Sequence, residues 1–140
     1  MTTQIELARK GLITPQMGAV AAAEDVTRDY VRTMVAEGKI VIPWNTIRKP
    51  KAVGIGKGLR TKINASIGTS SDIIDYAAET RKAKTAEAAG ADTLMELSVG
   101  GDLDRVRREV IAAVELPVGN VPLYQAFCEA GRKYGDPNKL

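Results

Sequence analysis

The stretch ADTLMELSVGGDLDRVRREVIAAVE, residues 91–115, reads as strand, loop and helix in succession. Its apolar start predicts a strand over 91–97, and Gly100 and Gly101 close it. Asp102 then offers a cap for a helix over 102–115, in which Leu103, Val106, Val110, Ile111 and Val114 share one face while Asp104, Arg105, Arg107 and Arg108 fall largely elsewhere. Working outward, the pattern repeats. A strand is expected at about 60–66, a helix at about 73–89, a strand at 117–124 and a helix from 125 onward. With strand ends at Ser66, Met95 and Tyr124, each is the 29th residue after the one before. Such a period is what repeated strand-helix units give, and right-handed crossovers make their strands parallel neighbours. The expected fold is therefore α/β, with the first three β/α units of a parallel (β/α)8 barrel. Three strands cannot close a barrel, which needs eight, and they leave two sheet edges unpaired. Continuation of the chain, or cover by another chain, is the physical expectation.

Upstream, residues 1–58 read as a helical arm and an irregular connection, and 59–140 as the barrel units. Ile5, Leu7 and Ala8 mark a short amphipathic helix stopped by Gly11. Thr14 and Pro15 open a second helix with Met17, Val20 and Ala21, and Thr27 opens a third that carries Val31, Met34 and Val35 up to Gly38. Lys39 to Pro43 forms a short strand, and Trp44 to Gly58 reads as irregular.

Composition narrows the chemistry. The 140 residues are 44% hydrophobic and only 4% aromatic, a mix suited to helices packed on a buried sheet. No run of apolar residues is long enough for a membrane span and no secretory leader is visible, so a cytoplasmic location is expected. A single cysteine, Cys128, and the absence of histidine exclude an internal disulfide, a zinc site built from His and Cys of one chain, and histidine acid-base catalysis. Net charge is +3, yet no acidic residue occurs from Gly38 to Ser71, where Lys39, Arg48, Lys49, Lys51, Lys57, Arg60 and Lys62 lie. That window suits a solvated connection, a phosphate-bearing ligand or, third, nucleic acid. Trp44 is its one stacking aromatic, which counts against a single-strand binder.

In a parallel barrel, function sits at the carboxyl ends of the strands and in the loops beyond them. Here those positions are Asn64 and Ser66 with Ile67 to Ser71, Met95 and Glu96 with Ser98 to Gly101, and Tyr124 with Gln125. Glycine- and hydroxyl-rich loops entering helices expose N–H groups suited to a polar or anionic ligand. Structural readings stand beside these. Met95 also fits a core position, Tyr124 a strand end with its hydroxyl in water, and Ser66 and Ser71 turns or caps. Cys128 fits a small apolar filler. The run Gly54-Ile-Gly-Lys-Gly58 lacks the Gly-Lys-Ser/Thr ending of a phosphate loop.

Ordered blocks along the chain resemble the radical S-adenosylmethionine family of the thiamine-pyrimidine (phosphomethylpyrimidine) synthases and their paralogues, the 5-hydroxybenzimidazole synthases. They include Ala8-Arg-Lys-Gly-Leu-Ile-Thr-Pro15, Gly58-Leu-Arg-Thr-Lys-Ile-Asn64, Ile67-Gly-Thr-Ser-Ser-Asp72, Gly90-Ala-Asp-Thr-Leu-Met95 and Pro117-Val-Gly-Asn-Val-Pro-Leu-Tyr124. The resemblance implies a barrel preceded by a helical region, a homodimer, and 5-aminoimidazole ribotide as substrate. It also implies S-adenosylmethionine, a 4Fe-4S cluster on a carboxyl-terminal three-cysteine segment, and a zinc or iron ion held by two histidines. None of those ligands occurs here, so this chain alone is expected to hold no metal and to be inactive. The family's substrate-contacting methionine falls on Met95 and its tyrosine on Tyr124, whereas the last asparagine of its Asn-Ala-Asn strand end is replaced by Ser66 after Asn64-Ala. That substitution, with the turn Pro43-Trp-Asn-Thr-Ile-Arg-Lys-Pro50, favours the hydroxybenzimidazole branch, the anaerobic route to a cobamide lower ligand, over the thiamine branch. A non-catalytic ligand-binding or dimerising fragment is the reading of another class.

Overall fold

The computed structural model describes residues 2–139. Its chain forms two compact units that part between Lys62 and Ile63.

In the first unit, hydroxyl caps set the helix starts. Thr3 opens α1 (Gln4–Arg9) with a capping box to Glu6, Thr14 opens α2 (Pro15–Ala23) with Pro15 in the first turn, and Thr27 opens α3 (Arg28–Ala36). The apolar stripes meet. Ala8, Met17, Val20, Ala21, Val31, Val35, Ile40 and Ile42 form one buried cluster, so this part has a core of its own. The strand expected over Lys39 to Pro43 is reduced to β1 (Ile40–Val41), and the connection expected to be irregular contains its antiparallel partner β2 (Ile55–Gly56). Glycine makes that pairing possible: a Cβ on Gly56 would run into the Lys39 carbonyl, and Gly56 sits at φ +147. The glycines of 54–58 thus serve close backbone packing. A Cβ on Gly54 would overlap Val20, and one on Gly58 the Tyr30 hydroxyl, which donates to the Lys57 carbonyl at 3.1 Å.

The second unit is a parallel sheet in the order β3 (Asn64–Ile67), β4 (Thr93–Glu96), β5 (Val118–Asn120). Its strands alternate with α4 (Tyr76–Ala88), α5 (Leu103–Ala113) and α6 (Pro122–Tyr134). Asp102 caps α5 as expected, accepting the Arg105 N–H at 2.9 Å, while Asp75 rather than a serine caps α4. Ile67 and Leu94 pack with Ala83 of α4 and with Val106 and Val110 of α5, so both helices cover the same sheet face. No helix among the described residues is long and apolar enough to cross a membrane.

The expected strand over 117–124 is corrected. β5 ends at Asn120, and Tyr124 lies in the first turn of α6. Proline is the cause. Pro122 has no N–H for a strand ladder but suits the first position of a helix, where that N–H would be unpaired in any case. The pairing register therefore sets Ser66 opposite Met95 and Met95 opposite Gly119, not Tyr124, and the equal spacing of strand ends fails at the third strand.

Candidate substrate-binding face

Register decides which side chains share a face, because alternate strand residues point to opposite sides. Asn64 pairs with Thr93, and Ser66 with Met95 and then Gly119; all five lie on the face opposite to the helix-packed Leu94 and Ile67. This face is open. Asn64 and Ser66 are exposed and Thr93, Met95 and Gly119 half-buried. The Thr93 hydroxyl donates to Asn64 Oδ1 at 2.9 Å, which leaves the Asn64 amide NH2 toward solvent. A Cβ on Gly119 would come within 2.7 Å of Met95 Sδ, so the missing side chain makes room for the thioether. Three of the expected site residues, Asn64, Ser66 and Met95, are thus brought together. Tyr124, 43% exposed, lies beyond the end of β5, in the first turn of α6.

In the loops beyond the strands, whose glycines suggested N–H groups open to a ligand, part of the donor set is consumed internally. The Gly68 N–H goes to Glu79 Oε2 at 2.8 Å, the Thr69 N–H to Ser98 Oγ at 3.0 Å, the Ser98 N–H to Glu96 Oε1 at 2.8 Å and the Val99 N–H to the Thr69 carbonyl at 3.0 Å. Thr69 Oγ1 also donates to the Gly100 carbonyl at 2.7 Å, and the Asp102 N–H to the Tyr76 hydroxyl at 2.8 Å. Gly68 and Gly100 permit this interlock: a Cβ on the first would meet Leu97 C at 2.7 Å, and one on the second would overlap the Ser70 carbonyl. Ser70, not Ser71, makes the turn, its hydroxyl accepting from the Ile73 N–H at 3.0 Å.

A model of the radical SAM ThiC family matches residues 3–140. The chain belongs to this family. It is 82% identical over 140 residues to the 5-hydroxybenzimidazole synthase of Geobacter metallireducens and 80% identical to that of Geobacter sulfurreducens, with all of this chain covered. To the phosphomethylpyrimidine synthase of Methanoculleus marisnigri it is 61% identical over 131 residues, covering 94% of this chain and 31% of that relative. The chain spans 32% of the length of the Geobacter relatives.

In this member of the ThiC family, the most buried carboxylates of the second unit are Glu96, which the sequence reading placed among the strand-end positions, and Glu79, which it did not single out. Glu79 is 4% exposed and Glu96 2%. Glu79 pairs with Lys82 Nζ at 2.6 Å, and Glu96 Oε2 lies 3.7 Å from Arg107 Nε. A signal was available for Glu96: it falls two residues after Leu94, on the core side of a strand, where a carboxylate requires a partner. Cys128 is half-buried and its thiol donates to the Val99 carbonyl at 3.3 Å, so it ties α6 to a loop. Among the described residues no three His, Cys, Asp or Glu side chains gather as metal ligands.

Proposed function

We propose that this chain forms the amino-terminal part of an enzyme that rearranges 5-aminoimidazole ribotide to 5-hydroxybenzimidazole by radical chemistry. The carrying observation is the relatives' identity: 80–82% to proteins named 5-hydroxybenzimidazole synthase against 61% to one named phosphomethylpyrimidine synthase. Residues 59–140 are the first β/α units of a barrel, with 1–58 as the preceding arm. Support comes from α4 and α5 lying on one sheet face, since consecutive crossovers on the same side curl a parallel sheet, whereas a doubly wound sheet places helices on both. On this reading the open face of Asn64, Ser66 and Met95 lines the interior.

The reaction calls for S-adenosylmethionine, a 4Fe-4S cluster and a metal ion. This chain's residues do not fit the cluster or the ion, with one cysteine, no histidine and no gathered ligand set among the described residues. Those ligands belong to the length of the relatives that this chain does not span. The cofactor supplies the radical. What these residues do is hold the ribotide: the Asn64 amide and Ser66 hydroxyl supply hydrogen bonds, Met95 a polarizable apolar shelf, and Tyr124 a phenol donor. A homodimer follows from the family resemblance.

The test is product analysis. Full-length protein supplied anaerobically with 5-aminoimidazole ribotide and S-adenosylmethionine is expected to release 5-hydroxybenzimidazole. Hydroxymethylpyrimidine phosphate in its place would move the protein to the thiamine branch.

A further inference from the structure

Tyr124 stands on a helix with no side-chain cap at its start, since Val121 occupies that position. The neighbouring Gln125 accepts from Arg107 Nη2 at 2.9 Å and donates to Asp104 Oδ1 at 3.2 Å and Glu129 Oε1 at 2.8 Å. Arg107 in turn lies beside Glu96, whose Oε1 holds the Ser98 N–H at 2.8 Å, and Glu96 directly follows Met95. One polar chain therefore runs from the residue after Met95, through α5, to the residue after Tyr124. Among the described residues, Arg107 is its only link that touches both ends. Its Nε is buried and, among the described residues, makes no hydrogen bond, standing 3.7 Å from Glu96; its position is set by the single Nη2 hydrogen bond to Gln125 and by Asp104 at 3.5 Å.

We infer that Arg107 and Gln125 are positioning residues that set Tyr124 against Met95, and so tune how the ribotide is held; this rests on the substrate reading above. Neither touches the open strand face. Arginine suits the task because its planar guanidinium addresses several acceptors at fixed angles, which a lysine point charge does not.

The experiment measures 5-aminoimidazole ribotide affinity of the full-length protein by calorimetry, with thermal unfolding in parallel. Gln125 is only half-buried, so Gln125→Leu is expected to leave the unfolding midpoint in place and weaken binding roughly ten- to a hundredfold, the scale of a misplacement of about 1 Å. Arg107→Lys is expected to weaken binding to a similar degree. In a Tyr124→Ala background, Gln125→Leu is expected to add nothing, because it acts through Tyr124. Additive losses in that double variant, or undiminished binding by Gln125→Leu alone, would overturn the inference and leave the substrate reading standing. If Tyr124→Ala itself binds as tightly as the native protein, the substrate reading fails at that residue and the inference with it.

Discussion

The ammonium of Lys62 lies 2.8 Å from Glu24 Oε1, with both side chains only 5% exposed. The same carboxylate accepts the Arg60 N–H at 2.9 Å. A pair this buried is costly to break from one side, because the remaining charge stays desolvated. Lys62→Met alone is expected to destabilise the first unit by about 3 kcal/mol, near the lower end of such cases since Arg60 still serves Glu24. Joining it to Glu24→Leu is expected to recover most of that loss. Urea denaturation of the three variants checks both statements.

Acid should act on the same pair. Burial opposes ionisation of Glu24, yet the hydrogen bonds from Lys62 and Arg60 outweigh it and lower its pKa below the ordinary 4.5. A carboxylate with a depressed folded pKa contributes stability that is present above 4.5 and is lost as pH falls through the folded value. The unfolding midpoint should fall in that acid range, and less so in the doubly apolar variant. Midpoints recorded between neutral pH and about 3 test this.

The interlocked loops give a third expectation. Gly100→Ala and Gly68→Ala force a methyl into backbone and should each cost about 1–3 kcal/mol, more if the loops cannot part. Gly131→Ala is the contrasting case. It sits inside α6 with nothing within 4 Å of the place a Cβ would take, so it should stabilise by about 0.5–1 kcal/mol. Denaturant midpoints that fail to separate the two groups would contradict the loop geometry.

At Gly119 the expectation is functional. The atom that a Cβ would meet is the end of a flexible methionine, which can move aside, so Gly119→Ala should fold normally. On the proposed substrate reading, displacing Met95 should weaken ribotide binding by the full-length protein roughly tenfold. Unchanged affinity in calorimetry would show that Met95 does not touch the ligand.

How much of this was legible depended on distance along the chain. α5 could be read because Leu103, Val106 and Val110 repeat on one face and Asp102 caps them, all within one window. The open-face grouping of Ser66 with Met95 was likewise within reach of periodic reading. Tyr124 was misplaced because Val118 to Tyr124 is apolar enough for a strand, and the local effect of Pro122 outweighs that pattern. Lys62 looked like one more cation of a basic window, while its partner Glu24 is 38 residues away in sequence. Partners so remote leave no periodic trace. The same holds for Arg107, whose hydrogen bond to Gln125 depends on how α5 and α6 meet.

Barrel enzymes usually acquire new specificities by lengthening or replacing the loops above the strands. Here the loop after β3 and the loop after β4 are bonded to each other through Thr69, Ser98 and Gly100 and pressed together at Gly68, so an insertion in either would unseat both. These two loops therefore tolerate insertion poorly, and on the proposed reading a side-chain exchange on the open strand face, as at Ser66, alters the site without disturbing its frame.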